Sequence, residues 1–157
     1  MAEGSIMNEK LQKLIGTSTE PVILKVEEGA IQRYAQAIDD PNPLFNDVGY
    51  ARKSKHGRIS CPPGFFGWPI KGEPRLFELV GALIQAGAPP NLLDGGVDFE
   101  FFEPIGAGDM LTISSKIADM TEKISQSGNM LITTVENTVM NQNGDVAAIG
   151  RMKFINR

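Results

Sequence analysis

The sequence predicts an α+β domain in which an antiparallel sheet wraps around one central helix, and three observations predict it. Leu76, Phe77, Leu79, Val80, Leu83 and Ile84 surround a helical stretch on several sides, and a helix that is apolar nearly all round is a buried one. The last third is rich in β-formers: Val97, Phe99 and Phe101 alternate, Leu111, Ile113 and Ile117 do so less regularly, and residues 130–139 and 146–155 follow. Asn143-Gly144, between the last two runs, is a strong hairpin signal. Strands, then helix, then antiparallel strands, with no internal repeat or domain boundary, give one α+β domain.

Residues 1–7 read as a flexible N-terminal tail ahead of a single domain over residues 8–157. Asn8 to Ile15 suits a short helix with Leu11, Leu14 and Ile15 on one side, and Pro21 to Val26 a first strand. Glu27 and Glu28 then place negative charge where a helix N-terminus favours it. Ile31, Tyr34, Ala35 and Ile38 follow at i, i+3, i+4 and i+7 as one apolar stripe. The helix stops at Asp40-Pro41-Asn42-Pro43, because proline disfavours helical geometry in the residue before it. Asp40 is therefore expected at a helix end, in a rigid loop. The stretch 47–72 reads as an irregular overhang with a helical turn or two. The central helix runs over 74–86: Pro74 suits its first turn, and Gly87, Pro89 and Pro90 end it.

The bulk properties exclude several classes. A chain of 157 residues is one domain with room for a substantial core. Its net charge of -4 and pI near 5.0 give no nucleic-acid footprint. No apolar run approaches the ~20 residues that span a bilayer, and the N-terminus has no apolar signal-peptide segment. Cys61 alone makes no internal disulfide, which suits a reducing cytoplasm. One cysteine and one histidine do not make a protein-only zinc site. Neither a metal nor a cofactor is expected.

Asp40-Pro41-Asn42-Pro43-Leu44-Phe45 carries the most specific signal. It resembles Asp-x-Asn-Pro-x-His, the active-site turn of the MaoC-like, hot-dog-fold (R)-specific enoyl-thioester hydratases, with Phe45 where the family has its histidine. Residues 31–38 are similar to that family's first helix, and 46–54 to the segment after its catalytic loop. Arg58-Ile59-Ser60-Cys61-Pro62-Pro63-Gly64-Phe65 resembles its Ile-Ala-Pro-Pro-Thr-Phe stretch. Gly95-Gly96-Val97-Asp98-Phe99-Glu100-Phe101-Phe102-Glu103-Pro104-Ile105, then Gly108-Asp109, is similar to the strand and turn opening its later sheet. The likeness covers about residues 8–155. The double proline and the Gly-Gly strand point to the MaoC-type dehydratase N-terminal domain branch, related to fungal fatty acid synthase, where the half-site with the Pro-Pro step is commonly the non-catalytic one.

The resemblance assigns Asp40 the family's catalytic position, one arm of a grip on water. Without the resemblance, Asp39 and Asp40 simply end a helix and start a turn. Phe45 can neither donate nor accept the proton that histidine would handle; it reads as a core aromatic or as the wall of an acyl cleft. In catalytic relatives a glycine N–H near the Pro-Pro step donates to the thioester carbonyl. Proline has no N–H, so the donor is lost or passes to Gly64. Asn42, Phe45, Pro63, Gly64 and Phe65 are the expected substrate-binding residues. Phe65, Phe66, Trp68 and Pro69 read first as core, and second as the wall of an acyl tunnel or a dimer seam. His56 reads as a solvated loop histidine, with a relocated base as the sharper alternative. Arg52-Lys53-Ser54-Lys55 is either a solvated loop or a contact for the phosphates of coenzyme A or the acidic face of an acyl carrier protein.

The resemblance implies a dimeric hot-dog domain. The expected role is a subunit of an (R)-specific enoyl-thioester hydratase or 3-hydroxyacyl-thioester dehydratase, shaping the acyl pocket while a partner catalyses. Expected partners are an acyl-CoA or acyl-carrier-protein thioester, and a second copy or a catalytic hot-dog subunit in a heterodimer. Nucleic acid and membrane are not expected partners. Two alternatives stay open: a non-catalytic thioester- or lipid-binding homodimer, and a hydratase with a relocated base.

Overall fold

In the computed structural model, which describes residues 5–67, 75–124 and 128–157, Asn8 caps the first helix, α1 (Glu9–Leu14). Its side-chain oxygen accepts from the N–H groups of Lys10 and Leu11 at 2.9 and 3.1 Å. Its amide donates to the Ala86 carbonyl at 3.0 Å, which ties α1 to the end of the central helix. The expected flexible tail needs correction for residues 5–7. The Glu122 carboxylate accepts from Ser5 Oγ at 2.6 Å, Ile6 N at 2.8 Å and Met7 N at 3.3 Å. Residues 1–4 lie outside the described ones, as do Trp68, Pro69 and Pro74.

Strand β1 (Val22–Lys25) leads to α2 (Glu28–Ala37), which buries Ile31 and Ala35. Ile38 departs from the expected stripe: it follows the helix as its C-cap and is 50 % exposed. The short helices α3 (Pro43–Asn46) and α4 (Val48–Lys53) and a 3-10 turn (Pro63–Phe66) form the overhang. Helix α5 (Leu76–Gln85) then precedes β2 (Leu92–Phe101), β3 (Met110–Lys123), β4 (Met130–Met140) and β5 (Val146–Asn156).

The five strands form one sheet in the order β1-β3-β4-β5-β2, every neighbouring pair antiparallel. On β4 the alternation is strict: Leu131, Thr133, Val135, Asn137 and Val139 are buried and the residues between them half-buried. On β3, Ser115 occupies an inward position between Ile113 and Ile117, its hydroxyl satisfied by Asn137. The register shifts between Ile117 and Asp119, so Met120 is the next residue to turn inward. A β-bulge of this kind adds one residue to a strand and inverts the faces beyond it, which is why the sequence alternates poorly here. In β2 the register shifts between Asp94 and Val97, where the Gly-Gly pair sits. A Cβ on Gly95 would lie 2.9 Å from the Lys153 carbonyl, and Gly96 has φ +105°.

Helix α5 contributes Leu76, Leu79, Val80 and Leu83 to a core shared with the inner face of the sheet. The expectation of a helix buried on all sides needs correction: Phe77 is 53 % and Ile84 40 % exposed. The sheet covers one side of α5 and leaves the other open. Across the outer face of the sheet, Lys116, Glu136, Arg151 and Glu100 form a ladder with ion-pair distances of 4.0, 3.2 and 3.4 Å. No helix among the described residues is long and apolar enough to cross a membrane.

Candidate functional site

The Asp40 turn is built by backbone chemistry. Helix α2 closes with Asp39 N–H bonded to the Gln36 carbonyl and Asp40 N–H to the Ala35 carbonyl. Between them Asp39 takes φ +52°, the left-handed position of a Schellman cap. Asp40 Oδ1 accepts from Asn42 N–H at 3.0 Å, and Asn42 Oδ1 accepts from Leu44 N–H at 3.0 Å, capping α3 with Pro43 in its first turn. Asn46, a residue the sequence did not single out, clamps the turn from within. Its amide donates to the carbonyls of Asp40 at 2.8 Å and Asn42 at 3.0 Å.

Phe45 is half-buried and lines an apolar cavity of about 300 Å³ with Leu44, Pro63, Phe101, Pro104 and Ile105. His56, Ser60, Cys61 and Glu103 supply its polar positions. Asp40 does not reach this cavity; it borders a separate open cleft with Gln36, Asp39, Pro41 and Asn46. Of the residues expected to bind substrate, Phe45 and Pro63 therefore share one cavity, while Asn42 is spent on the turn. Phe65 takes the place of its first reading, in the core. It is 2 % exposed and packs edge-on against Tyr34 and Phe66, with ring centroids 5.9 Å apart in each pair. It supports the cavity from the core, through Phe66, Phe99 and Phe101, and does not line it. Gly64 is exposed on the 3-10 turn, and a Cβ there would overlap the Tyr34 hydroxyl. Pro62 and Pro63 carry no N–H, so Gly64 is the first donor the turn offers.

The loops beside the cavity are held by a pair that nothing local in the sequence matches up. Asp109 is 2 % exposed and takes Arg58 in a two-pronged grip, Nη1 to Oδ1 at 2.6 Å and Nη2 to Oδ2 at 2.7 Å. Gly106 N–H and the Gln142 amide fill its remaining positions at 3.0 and 3.1 Å. A buried carboxylate needs such complete satisfaction. The 58–61 stretch then docks onto the 104–107 loop through Cys61 N–H to the Ile105 carbonyl and Ala107 N–H to the Ile59 carbonyl. Gly106 permits that approach, since a Cβ would sit 2.7 Å from the Ile59 carbonyl. His56, which reads as solvated in the sequence, is half-buried and is one of the residues lining the cavity beside Phe45.

Residues 13–149 match the family described as FAS1-like, dehydratase domain region. A UPF0336 protein of Parafrankia sp. (strain EAN1pec) is 31% identical over 148 residues, 93% of each chain. Among solved structures, a MaoC-like dehydratase superposes with a TM-score of 0.76 at 22% identity, over 93% of this chain and 43% of its own. A chain of the C-terminally truncated HadBC (3R-hydroxyacyl-ACP dehydratase) complex of Mycobacterium tuberculosis does so with a TM-score of 0.69 at 17% identity, over 90% and 96%. The α+β fold is a hot dog, as the turn and strand motifs led us to expect.

Proposed function

Since the chain belongs to the family of FAS1-like dehydratase domain regions, among the MaoC-like hot-dog dehydratases, we propose that it is a subunit of an (R)-specific enoyl-thioester hydratase or 3-hydroxyacyl-thioester dehydratase. In this reading it shapes the pocket for the acyl chain of a CoA or acyl-carrier-protein thioester, and a hot-dog partner brings the Asp/His pair. The observation that carries it is the division at the turn. Phe45 lines an apolar cavity at the position of the family's histidine, while Asp40 borders a different cleft and its carboxylate holds the turn. Adding water across an enoyl double bond requires groups that take one proton and deliver another within hydrogen-bond reach. Phe45 does neither.

A partner is also supported by surface chemistry. Leu93, Phe101 and Phe102 on or beside the edge strand β2, with Phe77 and Ile84 on α5, are exposed large apolar residues. The similar MaoC-like dehydratase chain is long enough for a second domain of this size. One observation favours a second reading, that of a relocated base: His56, the only imidazole in the chain, lines the same cavity as Phe45 and Glu103.

Hydration of crotonyl-CoA, followed by loss of the enoyl-thioester absorbance, separates the two. The lone chain is expected to fall far below the ordinary enzymatic range of ~1–10³ per second. Co-expression with a hot dog carrying an intact Asp-x-Asn-Pro-x-His should restore it, and Asp40→Asn in this chain should leave kcat of the complex almost unchanged. Turnover by the lone chain that His56→Ala lowers ~10²-fold or more would overturn the first reading and establish the second.

A further inference from the structure

Next to the apolar cavity lies a second one of about 380 Å³, lined by Leu44, Tyr50, Lys53, Ser54, Lys55 and His56. The two share Leu44 and His56, so one ligand can lie across both with its tail in the apolar chamber and its head among the cations. Lys53 and Lys55 are exposed, and neither has an ion-pair partner among the described residues. Arg58, a few residues on, has its charge fully engaged by Asp109. The chain as a whole carries a net charge of -4, so an unpaired basic cleft here runs against the sign of the molecule.

Helix chemistry explains only part of this cluster. Arg52 and Lys53 lie in the last turn of α4, where cations complement the helix dipole. Lys55 lies beyond the helix, in a turn with its own fastening. Ser54 Oγ donates to the Ala51 carbonyl at 2.7 Å and accepts from His56 N–H at 3.2 Å. Gly57 N–H returns to the Ser54 carbonyl at 3.1 Å, with Gly57 at φ +68°. Lys55 and His56 thus sit at the two central positions of a braced turn. Lysine ammonium groups held near one another suit phosphate oxygens as point charges with several donors each.

Resting on the acyl-pocket reading above, we infer that Lys53 and Lys55 bind the phosphate groups of the thioester's carrier arm while the acyl chain occupies the cavity beside Phe45. The shared chemistry is a pantetheine phosphate, whether from coenzyme A or from the prosthetic group of a carrier protein.

The test is calorimetric titration of the full chain with coenzyme A, octanoyl-CoA, octanoyl-phosphopantetheine and octanoyl-pantetheine, the last lacking any phosphate. Lys53→Gln with Lys55→Gln is expected to weaken octanoyl-CoA about tenfold or more, as loss of charge-assisted contacts does, and to flatten its salt dependence. Octanoyl-pantetheine should bind the variant as it binds the unaltered chain. A matched pair at Lys10 and Lys13, exposed on α1, should change nothing. If octanoyl-phosphopantetheine suffers the same loss, the single phosphate common to both carriers suffices; if only octanoyl-CoA does, the nucleotide phosphates of coenzyme A are the ligand. Unchanged octanoyl-CoA binding in the double variant overturns the inference and leaves the acyl pocket standing. Failure of octanoyl-pantetheine to bind the unaltered chain, with lysine-dependent binding of coenzyme A itself, overturns the acyl pocket and leaves the phosphate site. Binding of none of these ligands overturns both.

Discussion

Asp39 and Asp40 are adjacent and have unrelated tasks. The sequence marks Asp40 through its family motif and Asp39 as surface, which its exposure bears out. What the sequence does not display is the left-handed backbone at Asp39, φ +52°, because that conformation follows from where α2 stops and the loop departs. Residues with a Cβ pay ~1–2 kcal/mol there, and aspartate tolerates it better than most. Asp39→Gly should be neutral or stabilising by up to ~1 kcal/mol, the backbone relief being offset by the greater freedom of glycine in the unfolded chain. Asp39→Val, β-branched and without the local polar group, should cost ~1–2 kcal/mol. Urea denaturation of the two variants reads both effects, and equal stability would show that the cap is not fixed by this residue. His56 and Arg58 teach the same lesson about distance. The cavity that His56 lines and a partner 51 positions from Arg58 are properties of the folded chain, while the stop of α2 at the Asp40-Pro41-Asn42-Pro43 turn is local and was legible.

At the scale of elements, α1 and α2 follow from their periodicity, and the hairpin at Asn143-Gly144 from its turn chemistry; Gly144 takes φ +86°. The bulges in β3 and β2 were not legible, since one extra residue looks like noise in a period-two pattern. Equally hidden was the fastening of residues 5–7 to β3. Hydrogen bonds from the Ser5 hydroxyl, and next from Ile6 N–H, hold the Glu122 carboxyl below the usual carboxylate range, while burial opposes them. A carboxyl whose pKa is lower in the folded chain adds stability above its unfolded value, and that stability fades as pH falls through the folded one. Amide hydrogen exchange at Ile6 and Met7 should therefore be slow near neutrality. It should accelerate, relative to the intrinsic rate, once pH drops below the ordinary carboxylate range around 4.5. Glu122→Gln should give fast exchange at both pH values. Protection that persists in that variant would show that the segment is held by packing of Ile6 and Met7 against the core, and that the carboxylate contributes nothing.

For the whole molecule, the open side of α5 and the outer edge of the sheet carry one message. The sequence showed an unusually apolar helix and implied complete burial within the chain. The structure instead leaves Phe77 and Ile84 exposed, along with Leu93, Phe101 and Phe102 along β2. The apolar pattern was read correctly, but not all of it is buried within the chain, because a single sequence does not tell a core position from an exposed apolar one. Strand β2 lies at one end of the sheet order and spans Leu92–Phe101, against the four residues of β1 at the other end. A long edge strand is a template for pairing unless it is covered. Phe101 and Glu103 line the cavity beside Phe45, so a hot dog docked along β2 would also wall the proposed acyl pocket. In the absence of a catalytic partner, the lone chain should self-associate through this edge at tens of micromolar and sediment as a dimer. Leu93→Lys combined with Phe102→Lys, which places desolvated cations in the seam, should return it to a monomer with a near-native circular dichroism spectrum. The same variant should fail to co-purify with a co-expressed hot dog that carries the intact motif. A monomeric unaltered chain, or a double variant that still pairs, would mean that β2 is not the joining edge and that the pocket closes by another route.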